Sequence, residues 1–316
     1  MLGRGCRIRP HRLQNQIISS WKVQRLPILP RSRDNSPLPR YTTKSAKMST
    51  FETSPVNIAL CEGITQDELF TFPAFKSWHE RLSNSLALQA SSEHPFHSDP
   101  YHLRSIKIQA VDRWGKRIGF IKISSKITNE AGESLPGDIF LRGPSVGMMV
   151  IVQPEDVMKP DEERWVVMTV QPRAASGSLA FVELPAGMVD DGTFKGAAAK
   201  EIEEELGWTI PADELTNLSE LAIGDEANKE GEVLPRAMFP SAGGCDEFVQ
   251  IFLHEKKISR EELKKTTGKL TGLRDDGEKI TLKLVKLEDL WKEGARDSKA
   301  LTAWALYDGL KRTGKL

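Results

Sequence analysis

The sequence has no run of about eighteen apolar residues, so no segment reads as a membrane-spanning helix. Cysteine is scarce: Cys6, Cys61 and Cys245 stand far apart and odd in number. No CxxC or Cys/His cluster exists, which excludes a structural zinc site and a disulfide framework. A reducing compartment suits such a chain. The chain also lacks net charge, with 44 basic against 44 acidic residues, so nothing points to a nucleic-acid partner. Its six histidines show no ligand spacing.

That neutrality hides an asymmetry. Residues 1–47 carry Arg4, Arg7, Arg9, Arg12, Lys22, Arg25, Arg31, Arg33, Arg40, Lys44 and Lys47 against the single acid Asp34. A basic leader with interspersed Ser, Leu and Ile fits an organelle transit peptide, and mitochondrial targeting is expected. Arg40-Tyr41-Thr42 is similar to a matrix-processing site, and Met48 leaves room for a cytosolic form. A disordered basic tail without an address would have the same composition.

Residues 48–138 read as a small N-terminal α+β subdomain. Gln66 to Leu88 has helical apolar spacing. Ile106 to Val111 and Ile118 to Ile123 alternate as two strands, with the turn over Asp112 to Gly115. From 139 to 316 strands dominate, at Val146 to Val152, Trp165 to Val170, Ser178 to Glu183, Phe248 to Leu253 and Ile280 to Val285. One helix is embedded among them, and an amphipathic helix over Ser298 to Leu310 closes the chain. Lys256 to Thr271 reads as a charged surface insertion. The pattern predicts an α/β sandwich.

The embedded helix holds the chemistry. Ala197-Ala198-Ala199 and the following glutamates favour helix, and Gly207 is placed to end it. Glu201, Glu204 and Glu205 stand at i, i+3 and i+4, on one face of an α-helix. An ordinary acidic surface helix has the same spacing. The context argues otherwise: the helix follows a strand and a Gly-containing loop, and ends in Gly207-Trp208. Clustered hard oxygen ligands suit Mg²⁺ or Mn²⁺, which bridge to phosphate oxygens.

At these residues the chain resembles the Nudix hydrolase family. Its box opens on a glycine, matched by Gly187, and closes on the Arg-Glu-bulky-x-Glu-Glu-x-Gly-bulky half that Lys200 to Trp208 matches, with Lys200 in place of Arg. The resemblance implies a Nudix α/β/α sandwich, with Glu201, Glu204 and Glu205 as metal ligands. Two departures stand out. The first half of the box is one residue short, and its isolated glutamate is missing, with Asp190 or Asp191 as stand-ins.

Further matches resemble the ADP-ribose and ADP-sugar diphosphatase branch, the plant-type enzymes with an N-terminal domain included. They are Val170 to Arg173, Phe181 to Gly187 and Phe239 to Glu247. By this resemblance Ala186 ligates metal through its carbonyl and Arg173 lies at the nucleotide. Gly243, Gly244 and Glu247 form the substrate loop. Glu278, in the loop before the strand at Ile280, works with Glu204 and Glu205 in catalysis. The implied reaction is Mg²⁺-dependent hydrolysis of an ADP-sugar, such as ADP-ribose or ADP-glucose, to AMP and a sugar phosphate, by a homodimer. Two alternatives stay open: a diphosphatase for NADH, coenzyme A or a nucleoside triphosphate, and a Nudix-fold module that binds a nucleotide sugar without cleaving it.

Overall fold

The structure is a computed structural model and describes residues 56–189, 193–224, 231–272 and 279–316. The basic leader, Asp190, Asp191 and Glu278 lie outside the described residues.

The first layer is built from β1 (Asn57–Ala59), α1 (Gln66–Thr71), α2 (Pro73–Ala87), β2 (His102–Trp114), β3 (Arg117–Thr128), β4 (Ser134–Leu135) and β5 (Asp138–Leu141). The apolar spacing over Gln66 to Leu88 becomes two helices because Pro73 has no N–H for a continuous ladder and takes the first turn of α2 instead. Thr65 caps α1, exchanging hydrogen bonds with Glu68 in a capping box. β2 runs on to Trp114, so the reversal falls at Gly115 and Lys116, later than the expected turn. Gly115 has φ +61, which glycine adopts without steric cost. β1 lies parallel to β2, while β3 pairs antiparallel with β2, β4 and β5. Leu69, Phe75 and Trp78 from the helices pack on Ile106, Ile108, Ile121, Ile123 and Leu141. Fully burying each such side chain contributes about 1.5–3 kcal/mol.

The second layer contains β6 (Ser145–Pro154), β7 (Trp165–Arg173), β8 (Ser178–Glu183), β9 (Ala186–Met188), α3 (Phe194–Glu201), β10 (Thr216–Asn217), α4 (Leu218–Ile223), β11 (Val249–Ile258), α5 (Arg260–Thr266), β12 (Leu270–Thr271), β13 (Ile280–Lys286), α6 (Leu290–Glu293) and α7 (Ser298–Arg312). The sheet order is β10-β11-β6-β7-β13-β12, with β8 on β7 and β9 on β6. β11 and β6 run parallel and the other pairs antiparallel.

β6 is buried along its whole length, as its unbroken apolar run predicts for a strand covered on both faces. Val146, Met148, Val150 and Val152 face Ala198 of α3 and Ile202 just beyond its end. Met149 and Ile151 face α4, α6 and α7 through Leu218, Leu290, Ala300, Ala303 and Leu310. This is the α/β/α sandwich. Part of the stretch expected as a surface insertion is woven into it. β11 continues to a buried Ile258, Ser259 caps α5, and β12 pairs with β13.

The layers are joined at Phe140 to Gly143. Phe140 N–H donates to the Gly244 carbonyl at 2.9 Å. The buried Asp246 carboxylate accepts from the N–H of Arg142 at 2.7 Å and from that of Gly143. Burial raises the Asp246 carboxyl pKa, and those backbone donors pull the other way.

Candidate active site

β9 lies on the first residues of β6, with Gly187 opposite Val146 and Ala186 opposite Gly147. Met148 N–H holds the Pro185 carbonyl at 2.9 Å, which fixes the approach to β9. After β9 the chain re-enters the described residues at Thr193, whose hydroxyl accepts from Gly196 N–H and caps α3. Buried Ala198, Ile202 and Leu206 press the helix onto the sheet.

The helix departs from the expected regular α-helix. After Glu201 it widens into a π-helical turn over Ile202–Leu206, closed by Gly207 at φ +70. A wider turn advances each residue by a smaller angle, which shifts Glu204 and Glu205 from the positions that regular α spacing would give them. Glu205 is buried, and Ala186 N–H donates to its Oε2 at 3.2 Å. The Glu201 carboxylate lies over Gly187, where a Cβ would come within 1.8 Å of its Cδ and Oε1. Glu204 stays half-buried, 3.5 Å from Lys200 Nζ. Two carboxylates therefore reach Ala186-Gly187, and the third is turned toward Lys200. Among the described residues no three His, Cys, Asp or Glu side chains are gathered closely enough to hold a metal ion. The donor set is all hard oxygen, which fits Mg²⁺ or Mn²⁺ chemically.

Arg173, at the end of β7, donates from Nε to Glu183 Oε1 at 2.6 Å. Glu183 is nearly fully buried, and its other oxygen accepts from Lys299 Nζ at 3.0 Å. Lys299 also reaches Asp297 Oδ1 at 2.9 Å, and Asp297 Oδ2 accepts from Leu184 N–H at 2.8 Å. Burial opposes the charge on Arg173. The hydrogen bond to Glu183 and the charges of Glu183, Glu205 and Asp297 outweigh it, so the guanidinium pKa sits above its ordinary value. Lys299 behaves likewise: burial lowers its pKa, and the charges of Asp297 and Glu183 raise it further than burial lowers it. Sequence reasoning missed Glu183, Asp297 and Lys299. A lysine at the start of a helix, against the helix dipole, was the available signal.

Glu247 accepts from Ser145 Oγ at 2.8 Å and lies 3.4 Å from Arg142 Nη1. Ser145 is the register partner of both Val249 and Met188, so Glu247 is held beside the far end of β9. Gly243 and Gly244 have room for a Cβ, and neither has a positive φ. Their own fold therefore does not require glycine.

An α/β/α sandwich that lays a glycine strand under a glutamate helix is the architecture of a Nudix hydrolase, and the chain belongs to that family. Residues 143–305 match the family model described as the NUDIX domain. Over 278 residues the chain is 32% identical to "Nudix hydrolase 14, chloroplastic" of Arabidopsis thaliana, a match covering 86% of this chain and 82% of that protein. A solved structure titled "Crystal structure of ADP compounds hydrolase" matches over 68% of this chain and 99% of its own. Its identity is 13% and its TM-score 0.41. Nudix hydrolases act on nucleotide derivatives and generally use divalent metal ions.

Proposed function

We propose that the protein hydrolyses the diphosphate linkage of ADP-sugars, ADP-ribose and ADP-glucose among them, to AMP and a sugar phosphate, with Mg²⁺ (Mn²⁺ as substitute). The observation that carries this reading is the approach of the Glu201 and Glu205 carboxylates to Ala186-Gly187. Glu201, Glu204, Glu205 and the Ala186 carbonyl would hold the ion. When bound, it supplies charge neutralisation at the diphosphate and a more acidic water. Arg173 would grip the nucleotide end, and Gly243, Gly244 and Glu247 would border the substrate. Glu278 would take the proton from the attacking water, with Glu204 and Glu205 sharing in the catalytic work.

We infer the remaining assignments in the same way. The subunits pair as a homodimer that walls the nucleotide site. The basic leader directs the chain to an organelle, the mitochondrion, and a form starting at Met48 stays in the cytosol. The word "chloroplastic" in the relative's name fits an organellar address without selecting the mitochondrion.

The test is a panel of ADP-ribose, ADP-glucose, ADP-mannose, NADH and coenzyme A with Mg²⁺, followed by product identification. AMP and a sugar phosphate from the first three compounds are expected. Cleavage of NADH or coenzyme A alone would move the substrate class. Binding of ADP-ribose without AMP release would make the protein a binding module.

A further inference from the structure

Lys299 breaks two local rules. It sits in the first turn of α7, where the helix dipole disfavours a cation, and its side chain is only 15% exposed. The helix does not need it for capping, since Asp297 already accepts from the Lys299 backbone N–H at 3.1 Å. Its aliphatic stem runs past Gly147, the register partner of Ala186. Its ammonium then bridges Asp297 and Glu183. A buried ion pair contributes little net stability compared with apolar packing, so its presence argues for a geometric task.

That task is visible at Arg173. Its side chain is 42% exposed, and only Nε is committed to Glu183. A guanidinium held at Nε presents its two terminal nitrogens as a fork, the geometry that matches a phosphate. Glu183 can hold that pose only if its own second oxygen is fixed, because a buried carboxylate with an unsatisfied oxygen is costly. Lys299 fixes it. Asp297 fixes Lys299 and, through Leu184 N–H, returns the chain of contacts to the residue beside Glu183.

We propose that Glu183, Lys299 and Asp297 are positioning residues, which set the outward fork of Arg173 for a substrate phosphate. The inference rests on reading Arg173 as the nucleotide-side arm.

A double-mutant cycle tests it, run with Mg²⁺ on ADP-ribose or on whichever panel compound the wild type cleaves. Lys299→Met and Glu183→Gln should each raise KM about tenfold with kcat nearly unchanged, the effect of losing one charge-assisted hydrogen bond. Lys299→Arg should restore KM. In an Arg173→Met background the same changes should move KM by less than about twofold, because the group they position is gone. Equal KM increases in both backgrounds would overturn the proposal, since they would mark a general structural role. If Arg173→Met raises KM and neither other change does, the proposal fails while the Arg173 reading stands. If Arg173→Met leaves KM unchanged, both fail. Glu183→Gln keeps the shape of the side chain and carries the cycle if Lys299→Met does not fold.

Discussion

The Glu201 carboxylate occupies the space that a side chain on Gly187 would need, and a Cβ there would meet it at 1.8 Å. Gly187 does not lie in the left-handed region, so glycine is required by the neighbour and not by the backbone. The clash falls on the end of a flexible side chain, which can swing away. Gly187→Ala should therefore fold with little change in Tm and lose more than about a hundredfold in kcat/KM, beyond the loss typical of groups that merely support a metal ligand. Parallel melting curves and rates check this. An alanine variant with wild-type rates would mean that Glu201 has no fixed task at that point.

Glu204 and Glu205 occupy different settings and should respond differently. Glu205 is buried against Ala186 N–H, and a glutamine can still accept from it. Glu205→Gln should therefore keep its fold and lose hydrolysis. Glu204 meets Lys200, whose side chain is 70% exposed, so that ion pair contributes at most about 0.5 kcal/mol. Glu204→Gln should leave stability unchanged and also abolish turnover. AMP release at wild-type rates from both variants would remove the metal-site assignment.

Asp297 supports three groups at once: the first turn of α7, the Leu184 N–H and the Lys299 ammonium. Losing a helix cap costs about 1 kcal/mol, and leaving a buried N–H unpaired adds about 1–3 kcal/mol. Asp297→Ala should lose about 2–4 kcal/mol in urea unfolding. Asp297→Asn, which keeps one of the two acceptor oxygens and turns an amide N–H toward the donors at the other, should lose less. Equal losses would show that a single retained acceptor does not hold this corner.

His254, on β11, is buried, with Glu214 3.9 Å from its Nδ1. Burial lowers its pKa below 6.5, against the opposing pull of Glu214. The folded state therefore favours neutral imidazole, and the unfolded chain takes up the proton first as pH falls. The resulting stability is fully present above about pH 6.5 and is lost as pH falls toward and through the lower folded value. His254→Gln should flatten the acid side of a plot of unfolding free energy against pH. An unchanged slope would assign the acid sensitivity to other groups.

β6 was legible because both its faces are covered, which leaves an apolar run with no polar interruption. The helix over Ser298 to Leu310 was legible for the opposite reason, since one face is covered and the pattern repeats. The break between α1 and α2 was concealed because apolar spacing continues across Phe72-Pro73 while the backbone ladder does not. The π turn could not be read, since the same residues suit either ring size. The trio Glu183, Lys299 and Asp297 was hidden by distance along the chain: Glu183 and Lys299 are 116 residues apart. Glu247 was noticed in sequence, but its contacts with Ser145 and Arg142 depend on the pairing of β11 with β6.

The bond between Leu184 N–H and Asp297 joins residues 113 positions apart. It gives the protein an order of assembly. A growing chain halted before Asp297 already contains all three glutamates of the helix, the glycine beneath them and Arg173. It lacks the carboxylate that receives Leu184 and the ammonium that steadies Glu183. The corner proposed as the active site is therefore completed only when the last helix is synthesised and docks, and a chain truncated there would leave Leu184 and Glu183 without these partners.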